Sequence, residues 1–348
     1  MAKRAVKAYN RRPPPRTVKL SEELKVKSVV AMTAIFQLST LNIKLSTFVS
    51  LRNFCVDKNF KENMMLIQWF PGHMAKTLRV IEENLKLANA IIYCLDARAP
   101  FSSLNPKFEK IIGNKPVIFV LNKADLADEV MTKRAVKMLE NEGKTVIVTN
   151  ANSNACRGLI TKTLAAAFKQ KQEVFDRRGV TGVLRAMVIG VPNTGKSTII
   201  NLLAGEKKAT TGDKAGVTKN ANWIKVADNI EVMDTPGTLW PSFEDPSVGR
   251  NLAIIGSIKT EVLDISELGF ETVKLLIDIA PDKLKERYKL SENAGELAAL
   301  DPIEIYDEIC AKRGWILKRN EMDYERAGKG ILDDFRSARI GRITIDKF

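Results

Sequence analysis

Five short segments carry residues whose types and spacing suit phosphate and base chemistry. Gly190-Val191-Pro192-Asn193-Thr194-Gly195-Lys196-Ser197 fits the pattern Gly-x-x-x-x-Gly-Lys-Ser/Thr. Its two glycines let the backbone curl until successive N–H groups point at phosphate oxygens. Lys196 can reach the β- and γ-phosphates, and the Ser197 hydroxyl can ligate Mg²⁺. Thr194 and Thr198 belong to the same cradle, and a helix beginning there adds its partial positive charge. By average residue frequencies the four fixed positions arise by chance in about one chain in a hundred of this length. Asp234-Thr235-Pro236-Gly237 can hold the Mg²⁺ shell through water at Asp234 and sense a γ-phosphate through the Gly237 N–H. Asn122-Lys123-Ala124-Asp125 offers a carboxylate at Asp125 that can accept both the ring N–H and the exocyclic amine of guanine. Adenine lacks that donor pair, so Asp125 would select GTP over ATP.

Taken singly, the second and third segments also read as strand-end or Pro-Gly turns. Their co-occurrence on one βα pattern favours the chemical reading. Thr218, within Lys214-Ala215-Gly216-Val217-Thr218, stands between the phosphate loop and Asp234 and is the candidate switch threonine for Mg²⁺. Its plain alternative is a loop threonine. Asn150 and Ala151 end another apolar run, where a backbone N–H could meet the guanine oxygen.

The elements that must position these groups are legible as short apolar runs. Ala90–Leu95, Pro116–Leu121, Thr145–Val148 and Arg185–Ile189 read as buried strands, and Trp223–Val226 with Ile230–Met233 as a hairpin. Helical spacing covers Met74–Leu87, Val130–Asn141, Leu159–Phe175 and Ser197–Leu203. Strands alternating with helices predict an α/β fold with a mostly parallel sheet and helices on both faces. After Pro241 the pattern turns helical, with Leu252–Ile265, Leu268–Ile279, Lys283–Tyr288, Ile303–Lys312 and Glu321–Arg339, and with one strand candidate at Arg342–Ile345. The order of motifs is unusual. The base-reading segment precedes the phosphate loop, and Asp234 comes last, which a sheet tolerates because strand adjacency matters and chain order does not.

Composition narrows the classes. The 348 residues are 45% hydrophobic, enough for a real core. No run of about 18 uncharged apolar residues occurs, which argues against a transmembrane helix. Cys55, Cys94, Cys156 and Cys310 lie far apart and read as reduced thiols rather than a metal or redox pair. His73 is the one histidine, which excludes any relay needing two. The net charge is +14, and residues 1–64 hold 13 Lys+Arg against 4 Asp+Glu, so most of the excess sits there. That basic extension reads as a solvated arm, an RNA-contacting arm, a transit peptide, or a start placed upstream of the Met64-Met65 pair.

From Met65 to Phe348 the chain resembles the circularly permuted ribosome biogenesis GTPase A family. Ile67-Gln68-Trp69-Phe70-Pro71-Gly72-His73-Met74-Ala75-Lys76, Asp96-Ala97-Arg98-Ala99-Pro100, Leu239-Trp240-Pro241, Asp333-Asp334-Phe335-Arg336 and the motif order carry the likeness. The resemblance implies a circularly permuted P-loop GTPase domain over 65–243 and a small α-helical, RNA-contacting domain over 244–348. It implies a cytoplasmic GTPase, monomeric off the ribosome, that acts late in assembly of the large ribosomal subunit and contacts its rRNA. Lys196 and Gly237 would act on the phosphates during hydrolysis. Thr238 occupies the position where ordinary small GTPases carry a water-orienting Gln. The resemblance points instead to His73, whose alternative is a packed helix-entry histidine. Similarity to potassium-dependent GTPases implies K⁺ beside Asn193, which otherwise caps its loop. RNA contact falls to Lys283, Lys285, Arg287 and Lys289, and to Arg336, Arg339, Arg342 and Lys347, since residues 281–348 are neutral overall. Two other readings are a nucleotide-gated RNA-binding scaffold with negligible hydrolysis and a mitochondrial relative.

Overall fold

In the computed structural model, residues 72–151, 153, 156–206, 209 and 222–348 are described; the side chains of residues 73–76 and of Asn222 lie outside that set, as does Thr218. Six strands form one sheet: β1 (Ala90–Asp96), β2 (Val117–Asn122), β3 (Thr145–Val148), β4 (Leu184–Ile189), β5 (Asn222–Ala227) and β6 (Ile230–Asp234). Their order across the sheet is β3-β2-β1-β4-β6-β5. Every pairing is parallel except the edge hairpin of β5 with β6. The expected α/β class and permuted order are therefore present, because β1 and β4 pair directly although about ninety residues separate them.

Buried parallel strands must be apolar on both faces. β1 is buried at every position. Its alternate residues feed two cores, Ala90, Ile92 and Cys94 on one face and Ile91, Tyr93 and Leu95 on the other. The first core is covered by α4 (Arg157–Arg177) and α5 (Lys196–Ala204), the second by α1 (Gly72–Leu85), α2 (Pro106–Ile112) and α3 (Glu129–Asn141). Helix α2 was not apparent from periodicity. Its signal is local: the Asn105 side chain caps the Lys107 N–H at 3.0 Å, and Pro106 stands at the first helical position.

A third core gathers the helices after Pro241: α6 (Pro246–Ile254), α7 (Ile265–Ile279), α8 (Pro281–Tyr288), α9 (Ala294–Leu297), α10 (Pro302–Arg313) and α11 (Tyr324–Arg336). Ala99, Val191, Leu239 and Trp240 reach into it from loops at the carboxyl end of the sheet. Two expectations are corrected here. The helix read as Leu252–Ile265 runs from Pro246 to Ile254, because Gly256 takes φ +84° and ends it, and Asp264 caps a new helix. The strand candidate at Arg342–Ile345 joins no sheet; its amides bond to loop carbonyls instead.

Candidate nucleotide-binding site

The carboxyl ends of parallel strands are where an open α/β sheet presents ligands. Here β1 ends at Asp96, β2 at Asn122, β4 just before Gly190 and β6 at Asp234, all on that edge. Asp96 sits opposite Asn122 in register, and Val188 opposite Asp234, so the base-reading and phosphate-reading segments are brought side by side.

The phosphate loop leaves β4 through Gly190, at φ +149°, where a Cβ would lie 2.3 Å from the Cys94 carbonyl oxygen. Gly195, at φ +92°, enters α5, and a Cβ there would meet Asn122 Nδ2 at 2.1 Å. Both positions thus require glycine. Lys196 is 6% exposed, and its ammonium donates to the Val191 carbonyl at 2.8 Å. Burial lowers its pKa from the ordinary lysine range, against the opposing pull of Cys94 and Asp234. A triphosphate laid in the loop would supply that buried cation with counter-charge.

Gly237 crosses directly over the loop. A Cβ on it would lie 2.6 Å from Pro192 Cα and 2.8 Å from Lys196 Nζ. Ser197 Oγ donates to Asp234 Oδ2 at 2.8 Å, so two of the three expected Mg²⁺ groups face one another. Among the described residues no cluster of three His, Cys, Asp or Glu could hold a metal by itself. A hydroxyl and one carboxylate are hard oxygen donors of the kind Mg²⁺ takes. The residues therefore fit that ion, which when bound would supply positive charge to offset that of the phosphates.

The base-reading segment is tied to the phosphate loop by its own side chains. Asn122 Nδ2 donates to the Thr194 carbonyl at 2.9 Å, and its Oδ1 accepts the Ala151 N–H at 2.9 Å. The Ala151 amide thereby ties β2 to the loop after β3, beside the Asn150-Ala151 segment expected near the guanine oxygen. Lys123 takes φ +60° and Asn193 φ +61°, both in the left-handed region, and Lys123 Nζ donates to the Asn193 carbonyl. Asp125 follows in a single 3₁₀ turn, Ala124–Leu126, half-buried.

Sequence reasoning did not assign a role to Asp96 and Arg98. Asp96 is 1% exposed and accepts from Arg98 Nε at 2.9 Å and Nη2 at 2.6 Å, with Lys123 Nζ 2.9 Å away. Burial penalises its charge, but the Arg98 guanidinium and then Lys123 hold its carboxyl well below the usual carboxylate range. Arg98 also donates to the carbonyls of Arg336 (3.2 Å) and Ile255 (3.4 Å). The carboxyl end of α6 is thereby capped from both sides. Arg336 binds the carbonyls of Ala253 and Ile254 at 2.8 Å each, and Asn193 Nδ2 binds that of Gly256 at 2.7 Å. Unpaired carbonyls at a helix end attract such donors.

This placement sorts the basic residues expected to meet RNA. Arg336 turns inward to α6, and Lys283 reaches the Arg342 carbonyl at 2.6 Å. Lys285 bonds Asn293, Lys347 pairs with Asp278, and Lys289 and Arg342 are exposed. Arg287 and Arg339, far apart in sequence, converge on Asp334, and Arg313, which the sequence did not single out, joins them at 3.2 Å. Thr238, at the position of the missing Gln, is fully buried, and its carbonyl accepts from Asn105 Nδ2 at 3.4 Å. The backbone of His73 lies in the first turn of α1.

Comparison with known proteins agrees with this geometry. Residues 185–301 match the model of a 50S ribosome-binding GTPase family. A Bacillus cereus protein named ribosome biogenesis GTPase A is 40% identical over 287 residues, spanning 81% of this chain and 94% of that protein. A mouse protein named mitochondrial ribosome-associated GTPase 1 is 30% identical over 302 residues, spanning 80% and 90%. The solved GNP-bound structure of YlqF from Thermotoga maritima superposes with a TM-score of 0.54 at 27% identity, covering 78% of this chain and 98% of that one.

Proposed function

As the chain belongs to the ribosome biogenesis GTPase A family, we propose that this GTPase acts late in assembly of the large ribosomal subunit, binding its rRNA while GTP is bound and leaving after hydrolysis. The observation that carries the reading is the shared boundary of the pocket and the helical region. The phosphate loop bonds the end of α6 through Asn193–Gly256 and through Ser257 Oγ to the Pro192 carbonyl at 2.7 Å. A γ-phosphate that moved the loop would therefore move α6.

The RNA face of a helical domain 244–348 centres on Arg287, Arg313 and Arg339. Three guanidiniums share the one buried carboxylate of Asp334, which leaves surplus positive charge at the surface. Lys285, Lys289 and Arg342 extend it. The test is co-sedimentation of the purified protein with large subunits in GDP, GTP and a non-hydrolysable analogue. We expect binding with the analogue, loss with GDP, and GTP turnover raised by the subunits. Arg313→Gln with Arg339→Gln should reduce the slope of log affinity against log salt by roughly 1.5. Binding alike in all three nucleotide states would overturn the gating.

Hydrolysis needs a group to orient water, since Thr238 is enclosed. We assign that role to His73, and assign K⁺ to the phosphate loop beside Asn193, with Mg²⁺ on Ser197 and Thr218 and, through water, on Asp234. Turnover in K⁺ should exceed that in Na⁺ by about tenfold. His73→Ala should lower it by about a hundredfold. Equal rates in the two salts would remove the K⁺, and a wild-type rate in the variant would remove the histidine.

A further inference from the structure

The chain's last described segment crosses back over the loops that follow β1 and β2. The Ile343 N–H donates to the Leu126 carbonyl at 3.3 Å, one residue beyond Asp125. Thr344 Oγ1 accepts the Asp128 N–H at 3.3 Å and donates to the Ala97 carbonyl at 3.3 Å. The Ile345 N–H donates to the Arg98 carbonyl at 2.8 Å. Asp346, 6% exposed, then accepts the N–H groups of Phe101 (2.7 Å) and Ser102 (2.9 Å), the Ser102 hydroxyl, and Asn251 Nδ2 (3.0 Å). Meanwhile the side chains of Ile340, Ile343 and Ile345 are buried in the helical core. The segment thus has its isoleucine side chains in the helical core, the Ile343 amide on the loop that carries Asp125 and the Ile345 amide on the loop after β1.

We propose that residues 343–346 are a strap that positions the guanine-selecting loop, with Thr344 and Asp346 as positioning residues for base recognition. The inference rests on the reading of Asp125 as the base-selecting carboxylate. A single 3₁₀ turn has few bonds of its own with which to hold a carboxylate in a fixed orientation. Within residues 126–128 the carbonyl of Leu126 and the amide of Asp128 are both held by the strap, and the buried Asp346 anchors it to the neighbouring loop. Two hydrogen bonds from guanine to Asp125 require that orientation, and small displacements weaken both together. The strap also makes the base site answerable to the helical region, because a force on Ile343 reaches the loop through its own N–H, and one on Ile345 reaches the neighbouring loop at Arg98.

The test compares GDP, IDP and ADP binding to full-length protein by calorimetry. IDP lacks the exocyclic amine and so reports the second Asp125 contact. Thr344→Val keeps the shape and removes both hydroxyl bonds. It should weaken GDP about threefold and narrow the GDP-over-IDP preference. Asp346→Asn should weaken GDP about tenfold, with a further narrowing. Circular dichroism identifies any variant that fails to fold, and Thr344→Val decides the question if Asp346→Asn does not. Folded variants that keep wild-type GDP affinity and wild-type GDP-over-IDP preference overturn the strap alone. A wild-type protein that binds GDP and ADP alike overturns the reading of Asp125, and the strap's role with it.

Discussion

Asp125→Asn is expected to lower GDP affinity by roughly a thousandfold and to admit xanthosine diphosphate in its place. The carboxylate offers two acceptors to the two guanine donors, the ring N–H and the amine. An amide turns one acceptor into a donor, which opposes guanine and matches the carbonyl that xanthine carries at that position. The backbone around Asp125 is fixed by Ala124 N–H to the Thr149 carbonyl at 3.2 Å and by the Leu126 and Asp128 contacts, so the variant should keep its fold. Competition with a fluorescent guanine nucleotide measures the effect, and undiminished GDP binding by the variant would remove Asp125 from base recognition.

The second large effect is expected at Asp96. Asp96→Asn leaves Arg98 and Lys123 beside a neutral amide in a site where both partners of the closest pair are almost fully buried, at 2% and 1% exposure. Removing one partner of a buried ion pair costs about 3–5 kcal/mol. The cost should appear in urea unfolding at neutral pH. It should also carry a pH signature. The folded carboxyl is held below its unfolded value of about 3.9. Its contribution is therefore full above that pH and is lost as pH falls below it toward the folded value. The wild-type and variant unfolding curves should approach one another below about pH 4. A constant gap across that range would mean that the charge is not what stabilises the site. Nucleotide affinity should fall as well, because Lys123 reaches both Asp96 and the Asn193 carbonyl.

How far the sequence reveals this molecule depends on whether a feature is local. Strands ending at Asp96, Asn122, Ile189 and Asp234 are legible because a buried parallel strand is a short apolar run closed by a polar residue or a glycine. The phosphate loop is legible because Gly190 and Gly195 are demanded by contacts of 2.3 Å and 2.1 Å that only glycine tolerates. The end of α6 is only partly legible. Leu252 to Ile265 keeps helical spacing across Gly256, whose φ of +84° ends the helix, while the capping groups Arg98, Asn193 and Arg336 come from three distant segments. Arg336 illustrates the same limit: an arginine in the last turn of a helix reads as surface until its partners are seen. The roles of Asp334 and Asp346 depend wholly on tertiary neighbours. So does the inward turn of Thr238. The expectations for Thr218 and for the His73 side chain lie outside the described residues.

The place of β4 between β1 and β6 has a consequence for synthesis on the ribosome. Strands β1, β2 and β3 leave the exit tunnel first and can pair at once, since each lies beside its neighbour in sequence. The outer edge of β1, all buried in the finished protein, then waits until Leu184–Ile189 has emerged. For roughly ninety residues of elongation, which at 5–20 residues per second is about 5–20 seconds, the nascent chain presents an unpaired hydrophobic ribbon edge. Conventional motif order would place the phosphate-loop strand at the start. Here that strand is the late closing piece, and this chain has a correspondingly long window in which the open edge can meet a wrong partner.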